Sequence, residues 1–196
     1  MIVLASGSPR RKELLEQIGA SFLVFVSDAA EESGNLLEPE ELVRINAVAK
    51  AKAVAVSYPD EPVLGADTVV SLDGQTYGKP CDKKEACRML AAFSGRTHQV
   101  STGIAIVVKG EVYTDVVTTK VTFGKITEEE IARYVETGEP LDKAGAYAVQ
   151  GIAARFIEKI EGSYSNVVGL PLFAVTQLAG KACVDLYDNH GEGLTR

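Results

Sequence analysis

The opening of the chain, "MIVLASGSPRRKELLEQIG", narrows the possible folds more than any other stretch. Residues 2–5 are an apolar run that predicts a short buried strand, and residues 6–8 are a tight turn. Residues 9–18 then read as a helix, with Ser8 at the N-cap, Pro9 at the first helical position and Gly19 as terminator. The opening is thus strand, tight turn, helix. The same stretch places three cations, Arg10, Arg11 and Lys12, at the mouth of that helix. A helix N-terminus presents unpaired N–H groups and partial positive charge, which suits an anion. Cations there cost up to about 1 kcal/mol each through the dipole, a cost that a bound anion offsets. Ser6, Gly7 and Ser8 let the backbone come close, and the planar forks of Arg10 and Arg11 match phosphate oxygens. The competing reading leaves all three cations in solvent on a surface helix.

Further along, strand and helix signals alternate. Residues 21–27 are a strand candidate, residues 28–38 an acidic loop, and Pro39 opens a long helix reaching about Val56. Leu42, Ile45, Ala49 and Ala53 form its expected apolar face, with Asn46 and Lys50 side by side at the margin. "PVLGADTVVSLDGQTYGKP" predicts a strand, an Asp73–Gly74 turn and a returning segment. "DKKEACRMLAAFSG" is helical, with Ala86, Met89, Leu90 and Phe93 on one face. Strands at 99–108 and 111–123 follow, joined antiparallel at Lys109 and Gly110. "TEEEIARYVETG" carries a Thr127 cap, an acidic first turn and a Gly138 stop. "DKAGAYAVQG" gives no clear signal, residues 154–160 predict a strand, and residues 170–179 a last helix. The order of elements implies an α/β fold on a mixed sheet, one domain over 1–196, with two lobes and a cleft.

Composition excludes several classes. The formal net charge of -7 argues against a general nucleic-acid binder, whose surface is usually basic, so any anionic ligand must be held by local cations. Apolar stretches are broken well before the roughly 18 residues that span a bilayer, and neither leader nor membrane partner is expected. Three cysteines, Cys81, Cys87 and Cys183, lack the pairing of a disulfide framework or a zinc ribbon, which fits a reducing, cytoplasmic setting.

Four further positions bear on chemistry. Asp67 lies in the apolar strand "VLGADTVVSL", where an ionised carboxylate is expensive unless paired with Lys50 or Lys79, bound to metal, or used as a base. Lys79 stands between glycine and proline in "YGKP", which fixes its backbone. Glu31 and Glu32 sit in a loop with Asp28, and acidic loops are usually only solvated. Of the two histidines, His190 lies in a polar tail; His98 reads as a structural hydrogen-bonding residue, because no nucleophile elbow surrounds Ser101 or any other serine nearby. No cysteine is set up as a nucleophile, and neither a Walker lysine motif nor G-x-G-x-x-G is present.

Taken in order, "LASGSPRRKELL", "GADTVV", "GKP", "SGRTHQVSTG", "DKAGAYAVQG" and "GSYSNVVGLPL" resemble the Maf family of nucleoside triphosphate pyrophosphatases, from Leu4 to about Leu172. The resemblance implies an elongated mixed β-sheet with flanking helices and two lobes around a central cleft, an architecture similar to inosine triphosphate pyrophosphatases. It also implies a cytoplasmic, often dimeric enzyme that cleaves a nucleoside triphosphate to monophosphate and pyrophosphate with a divalent cation, Mg²⁺ or Mn²⁺. By that correspondence Asp67 is the catalytic acidic residue, Lys79 is catalytic beside it, and Ser8, Arg11, Glu31 and Lys50 line the same cleft. "AAEES" departs from the commoner "DxDE" form, so the acidic ligand falls on Glu31 or slips to Glu32. The "SPRR" and "AYAVQG" segments resemble members preferring dTTP and UTP, which assigns Arg10, Thr68 and Gln150 to base preference; a glutamine amide suits the imide edge of a pyrimidine.

The mechanism this implies has Asp67, assisted by Glu31, holding the cation and orienting or deprotonating the attacking water. Arg11, Lys50, Lys79 and the turn from Ser6 to Ser8 grip the triphosphate. Two alternatives compete: a purine-directed inosine triphosphate pyrophosphatase, and a nucleotide-binding regulator of cell division with little turnover.

Overall fold

The computed structural model describes residues 1–33 and 37–187. His190 and the tail beyond Tyr187 lie outside the described residues. Strands β1 (Ile2–Leu4), β2 (Phe22–Val24), β3 (Val63–Leu72), β4 (Gln75–Tyr77), β5 (Thr97–Val108), β6 (Glu111–Phe123) and β7 (Ile157–Glu161) form one mixed sheet. Its order is β2-β1-β3-β5-β6-β7, with β4 paired to β3 off this path. The pairs β1/β2 and β1/β3 are parallel, and the rest antiparallel. Helices α1 (Pro9–Gln17), α2 (Pro39–Ala55), α3 (Lys83–Phe93), α4 (Glu128–Glu136), α5 (Tyr164–Val168) and α6 (Leu172–Lys181) cover it. This is the mixed-sheet α/β architecture expected from the order of elements.

Local chemistry accounts for most boundaries. Asp73 and Gly74 both take positive φ, 52° and 78°, as do Lys109 and Gly110 at 50° and 82°, which is what two-residue hairpin turns require. Thr127 and Glu130 form a reciprocal capping box at the start of α4. Three expected elements end elsewhere. The strand predicted over 21–27 is ordered as β2 only from Phe22 to Val24. The strand predicted from Ala154 starts at Ile157, because Ile152–Phe156 is a 3-10 turn. The helix predicted over 170–179 is preceded by the short α5, which ends where Gly169 takes φ 128°.

Pleat alternation distributes the core. Leu64, Ala66, Ile104 and Ile106 pack with α1 and α6 on one face of the sheet. Val63, Ala105 and Val107 pack under α2 on the other. Toward the opposite end of the same strands, Val70, Leu72, Val100, Val121 and Phe123 join α3 and α4 in another apolar cluster. Helix α2 sits unusually close to its face. A Cβ at Gly65 would lie 2.2 Å from the Ala47 carbonyl oxygen, and one at Gly103 would lie 2.3 Å from that of Val43. The two glycines therefore act as the seat of the helix. They also correct its expected orientation: Leu42 is buried as expected, but with Val43, Asn46, Ala47, Ala51 and Val54 in place of Ile45, Ala49 and Ala53. Asn46 thus faces the sheet.

His98 has the structural role expected of it. It is buried against Phe93, with ring centroids 4.4 Å apart, and Nε2 lies 2.9 Å from the Tyr147 hydroxyl. Burial pushes its pKa down to about 4. The folded value is below the unfolded one, so the unfolded chain takes up the proton first as pH falls. Stability is complete above about pH 6.5 and declines by about 3 kcal/mol as pH falls to 4. Replacing His98 by Gln should flatten the dependence of unfolding free energy on pH in that window; an unchanged slope in urea titrations would assign it to other groups. Gly103→Ala should destabilise by about 1–3 kcal/mol by forcing α2 off the sheet, read as a lower urea midpoint.

Candidate active site

The sheet has a gap. Strand β1 last pairs β3 at Leu4 and Leu64, and β4 first pairs it at Val70 and Tyr77. Between them, residues 65–69 of β3 have no strand on that edge among the described residues, and a cavity of about 650 Å³ opens there. It lies at the carboxyl end of β1 and the N-terminus of α1, the place where open α/β sheets bind ligands. Its walls include Ser6, Ser8, Arg10, Arg11, Glu31, Lys50, Asp67, Thr68, Lys79 and Gln150, so every residue predicted from sequence to serve the site is brought to one recess. Because the recess is at a strand edge, consecutive side chains of β3 reach it from opposite faces.

On the α2 face the groups are acidic and paired. Asp67 is buried; its Oδ1 accepts from Lys50 Nζ at 2.7 Å and its Oδ2 from Asn46 Nδ2 at 3.0 Å. Of the two lysines considered as its partner, Lys50 is the one engaged. Lys50 Nζ also lies 2.8 Å from Glu31 Oε1, so one ammonium bridges two carboxylates. Asn46 anchors the acidic loop through its backbone: the Glu32 N–H donates to Asn46 Oδ1 at 2.8 Å, and Asn46 Nδ2 donates to the Glu32 carbonyl at 3.0 Å. Glu31, not Glu32, is thereby the residue whose carboxylate meets Lys50. Asn46 is the polar residue whose part in the site the sequence reading missed; its signal was a place one turn before Lys50 on the glycine-seated face.

On the α1 face the groups are cationic, and neither Arg10 nor Arg11 forms a salt bridge among the described residues. Arg11 donates from Nε to the Gly169 carbonyl at 2.8 Å, from Nη1 to Ser6 Oγ at 3.1 Å and from Nη2 to Thr68 Oγ1 at 3.0 Å. All three acceptors are neutral, so they orient the guanidinium without cancelling its charge. Burial lowers the Arg11 pKa, opposed by the negative field of Asp67, and arginine remains charged. Thr68 is itself held by Thr102, with hydroxyl oxygens 2.9 Å apart. The solvent reading applies to Lys12 alone, which is exposed and 3.6 Å from Glu16. Ser8 occupies the N-cap position of α1, but its side chain makes no capping bond. Its N–H instead donates to Ser6 Oγ at 3.3 Å. Lys79 and Gln150 are exposed residues on the remaining walls.

The donor set bears on a cation. No group of three or more His, Cys, Asp or Glu side chains arranged to hold a metal occurs among the described residues. Two carboxylates, Asp67 and Glu31, nevertheless share one ammonium, so their oxygens already converge on positive charge. Mg²⁺ commonly takes one or two carboxylates and completes its shell with water and substrate phosphate. The pair fits an ion shared with a bound phosphate, not an all-protein cage.

Residues 1–182 match the family described as Maf-like protein. A protein of Symbiobacterium thermophilum named dTTP/UTP pyrophosphatase is 51% identical over 177 residues, 90% of this chain and 91% of that one. Proteins of the same name from Bacillus anthracis and Bacillus cereus are 50% and 49% identical over 171 residues, 87% of this chain and 90% of each of theirs. With the family match covering nearly all of the sequence, the chain belongs to the Maf-like protein family.

Proposed function

We propose that the protein is a nucleoside triphosphate pyrophosphatase acting on dTTP, UTP or related pyrimidine nucleotides. The observation that carries this reading is the side-by-side arrangement of Arg11, bonded only to neutral acceptors, and a Lys50-bridged acidic pair in one recess. A site for anions alone has no use for a buried carboxylate, whereas hydrolysis of a polyphosphate needs both signs of charge. The names of the relatives point to the same reaction.

In this reading the triphosphate lies against the turn from Ser6 to Ser8, with Arg11, Lys50 and Lys79 contacting its oxygens. Asp67 accepts a proton from water or orients it toward the α-phosphorus. A bond forms from that water oxygen to phosphorus, the bond from the α-phosphorus to the bridging oxygen breaks, and pyrophosphate leaves with its new charge met by the cations. Lys50 holds the Asp67 carboxylate in place. Asp67 and Glu31 would hold Mg²⁺ or Mn²⁺, which when bound screens the phosphate charge. Arg10, Thr68 and Gln150 belong to base preference, with Gln150 facing the imide edge of the pyrimidine; the Thr68 hydroxyl acts through Arg11, to which it is bonded. One domain, a cytoplasmic setting and a homodimer complete the proposal. Free Cys81, Cys87 and Cys183 are consistent with a reducing compartment, and Phe173, 77% exposed, offers apolar surface for a second copy.

The decisive measurement is pyrophosphate release by the purified protein with dTTP, UTP, ITP and a 7-methylated GTP. Fastest turnover on the pyrimidines supports the proposal. Preference for ITP would favour the purine-directed alternative, and tight binding without turnover a regulator. Asp67→Asn, nearly isosteric and still able to accept from Lys50, should fold normally yet lose about a hundredfold or more in kcat; near-native rates would remove Asp67 from the chemistry. Gln150→Ala should keep overall hydrolysis while narrowing the gap between pyrimidine and purine triphosphates, and an unaltered gap would refute its base-reading role.

A further inference from the structure

Residues 139–152 form a loop that leaves α4 and returns to the 3-10 turn Ile152–Phe156. Six of its members, Asp142, Ala144, Tyr147, Ala148, Val149 and Gln150, line one wall of the cavity. Two short 3-10 turns, Glu139–Asp142 and Ala144–Ala146, make up its first half, and from Tyr147 to Gly151 it has no helix or strand. The two ends meet at one side chain. Glu139 Oε1 accepts from the Tyr134 hydroxyl at 2.9 Å, and Glu139 Oε2 accepts from the Ile152 N–H at 3.0 Å. Tyr134 is 1% exposed and packs edge-on against Phe156, with ring centroids 5.6 Å apart, so its hydroxyl is a fixed point. Burial and the adjacent Glu139 charge raise the Tyr134 pKa, which keeps that hydroxyl a donor.

Gly151 is the counterpart of this contact. A Cβ there would lie 2.2 Å from Glu139 Oε1, although the backbone at φ -105° and ψ -158° is open to any residue. Glycine at 151 leaves room for the carboxylate where it stands, and a Cβ would displace the end of that side chain. The Glu139 carboxylate therefore lies against Gly151, the residue that follows Gln150. Two further ties hold the middle of the loop: the Gly145 N–H donates to the Gly78 carbonyl at 3.0 Å, and Tyr147 meets His98. The segment 148–152 has contacts of its own, with the Gly151 N–H donating to the Ala148 carbonyl at 3.1 Å and Val149 buried in the cluster of α1 and α6, and the Glu139 bond to Ile152 joins it to the start of the loop.

We propose that Glu139 is a positioning residue for base selection: by closing the 139–152 loop through Tyr134 and the Ile152 amide, it holds Gln150 in register with the nucleobase side of the cavity. The proposal rests on the base-reading role of Gln150. Glu139 touches no reacting atom, so its effect falls on substrate discrimination and KM, with kcat little altered.

The test compares kcat/KM for UTP and ITP in Glu139→Ala, Glu139→Gln, Gly151→Ala, Gln150→Ala and the double variant E139A/Q150A, with amide hydrogen exchange followed over 148–152. Glu139→Ala should reduce the UTP-to-ITP ratio by about tenfold, mainly through KM, and speed exchange in that segment. Gly151→Ala, which expels the carboxylate, should do the same, and it carries the comparison if the first variant does not fold. Glu139→Gln should retain most of the ratio, because its carbonyl can accept from the Ile152 N–H while its amide donates to the Tyr134 oxygen. The double variant should be no less selective than Gln150→Ala alone. If Gln150→Ala loses selectivity while folded Glu139→Ala and Gly151→Ala keep it, Glu139 only caps a turn and the proposal is overturned. If Gln150→Ala itself keeps the ratio, the base-reading role fails and the positioning proposal falls with it.

Discussion

The seating of α2 on Gly65 and Gly103 is the contact on which the rest of the site depends. With no side chain at either position, helix carbonyls descend to the level that a Cβ would occupy. Gly103 is directly opposite Asp67 in the β3/β5 register, so the close approach occurs where the carboxylate stands. Asn46 and Lys50, one turn apart on the seated face, then reach Asp67 within hydrogen-bonding distance. Burying an ion pair is expensive unless the remaining lone pairs and protons are satisfied. Here Asp67 gains an amide and Lys50 a second carboxylate, which offsets the desolvation.

The gap in the sheet explains why the opposite charges do not cancel. Asp67 and Thr68 are neighbours in sequence, and pleating sends one toward α2 and the other toward α1. Arg11 bonds to Thr68 and lies within the field of Asp67 but forms no ion pair with it among the described residues. Its three neutral acceptors keep the guanidinium aimed and its charge available. The short β1 makes this possible: had it paired beyond Leu64, the edge that admits both faces to one recess would be covered.

Much of this was legible in the sequence, for identifiable reasons. Pro9, Gly19, the Asp73–Gly74 pair and the Thr127 cap are local signals, and each marks a boundary or turn found in the fold. The apolar face of α3 was readable because its four buried residues contrast with lysines and arginine around them. Helix α2 was misjudged because it is rich in alanine on every side, so its own pattern does not choose a face; the choice is made by glycines on two distant strands. Asn46 was hidden for the same reason. The shift from Ala154 to Ile157 reflects a 3-10 turn whose start is held by Glu139, a tertiary contact with no local signature. The site residues were gathered by resemblance across segments far apart in the chain, which no local pattern could have assembled.

Strands β3, β5 and β6 run without interruption from the cluster beneath α1 and α6 to the one beneath α3 and α4. Hinge closure needs a few element-terminal residues able to absorb a large change in backbone angle, and three paired strands supply none between the clusters. The sheet thus offers no hinge beneath the recess, and its bore is set by the segments that rim it.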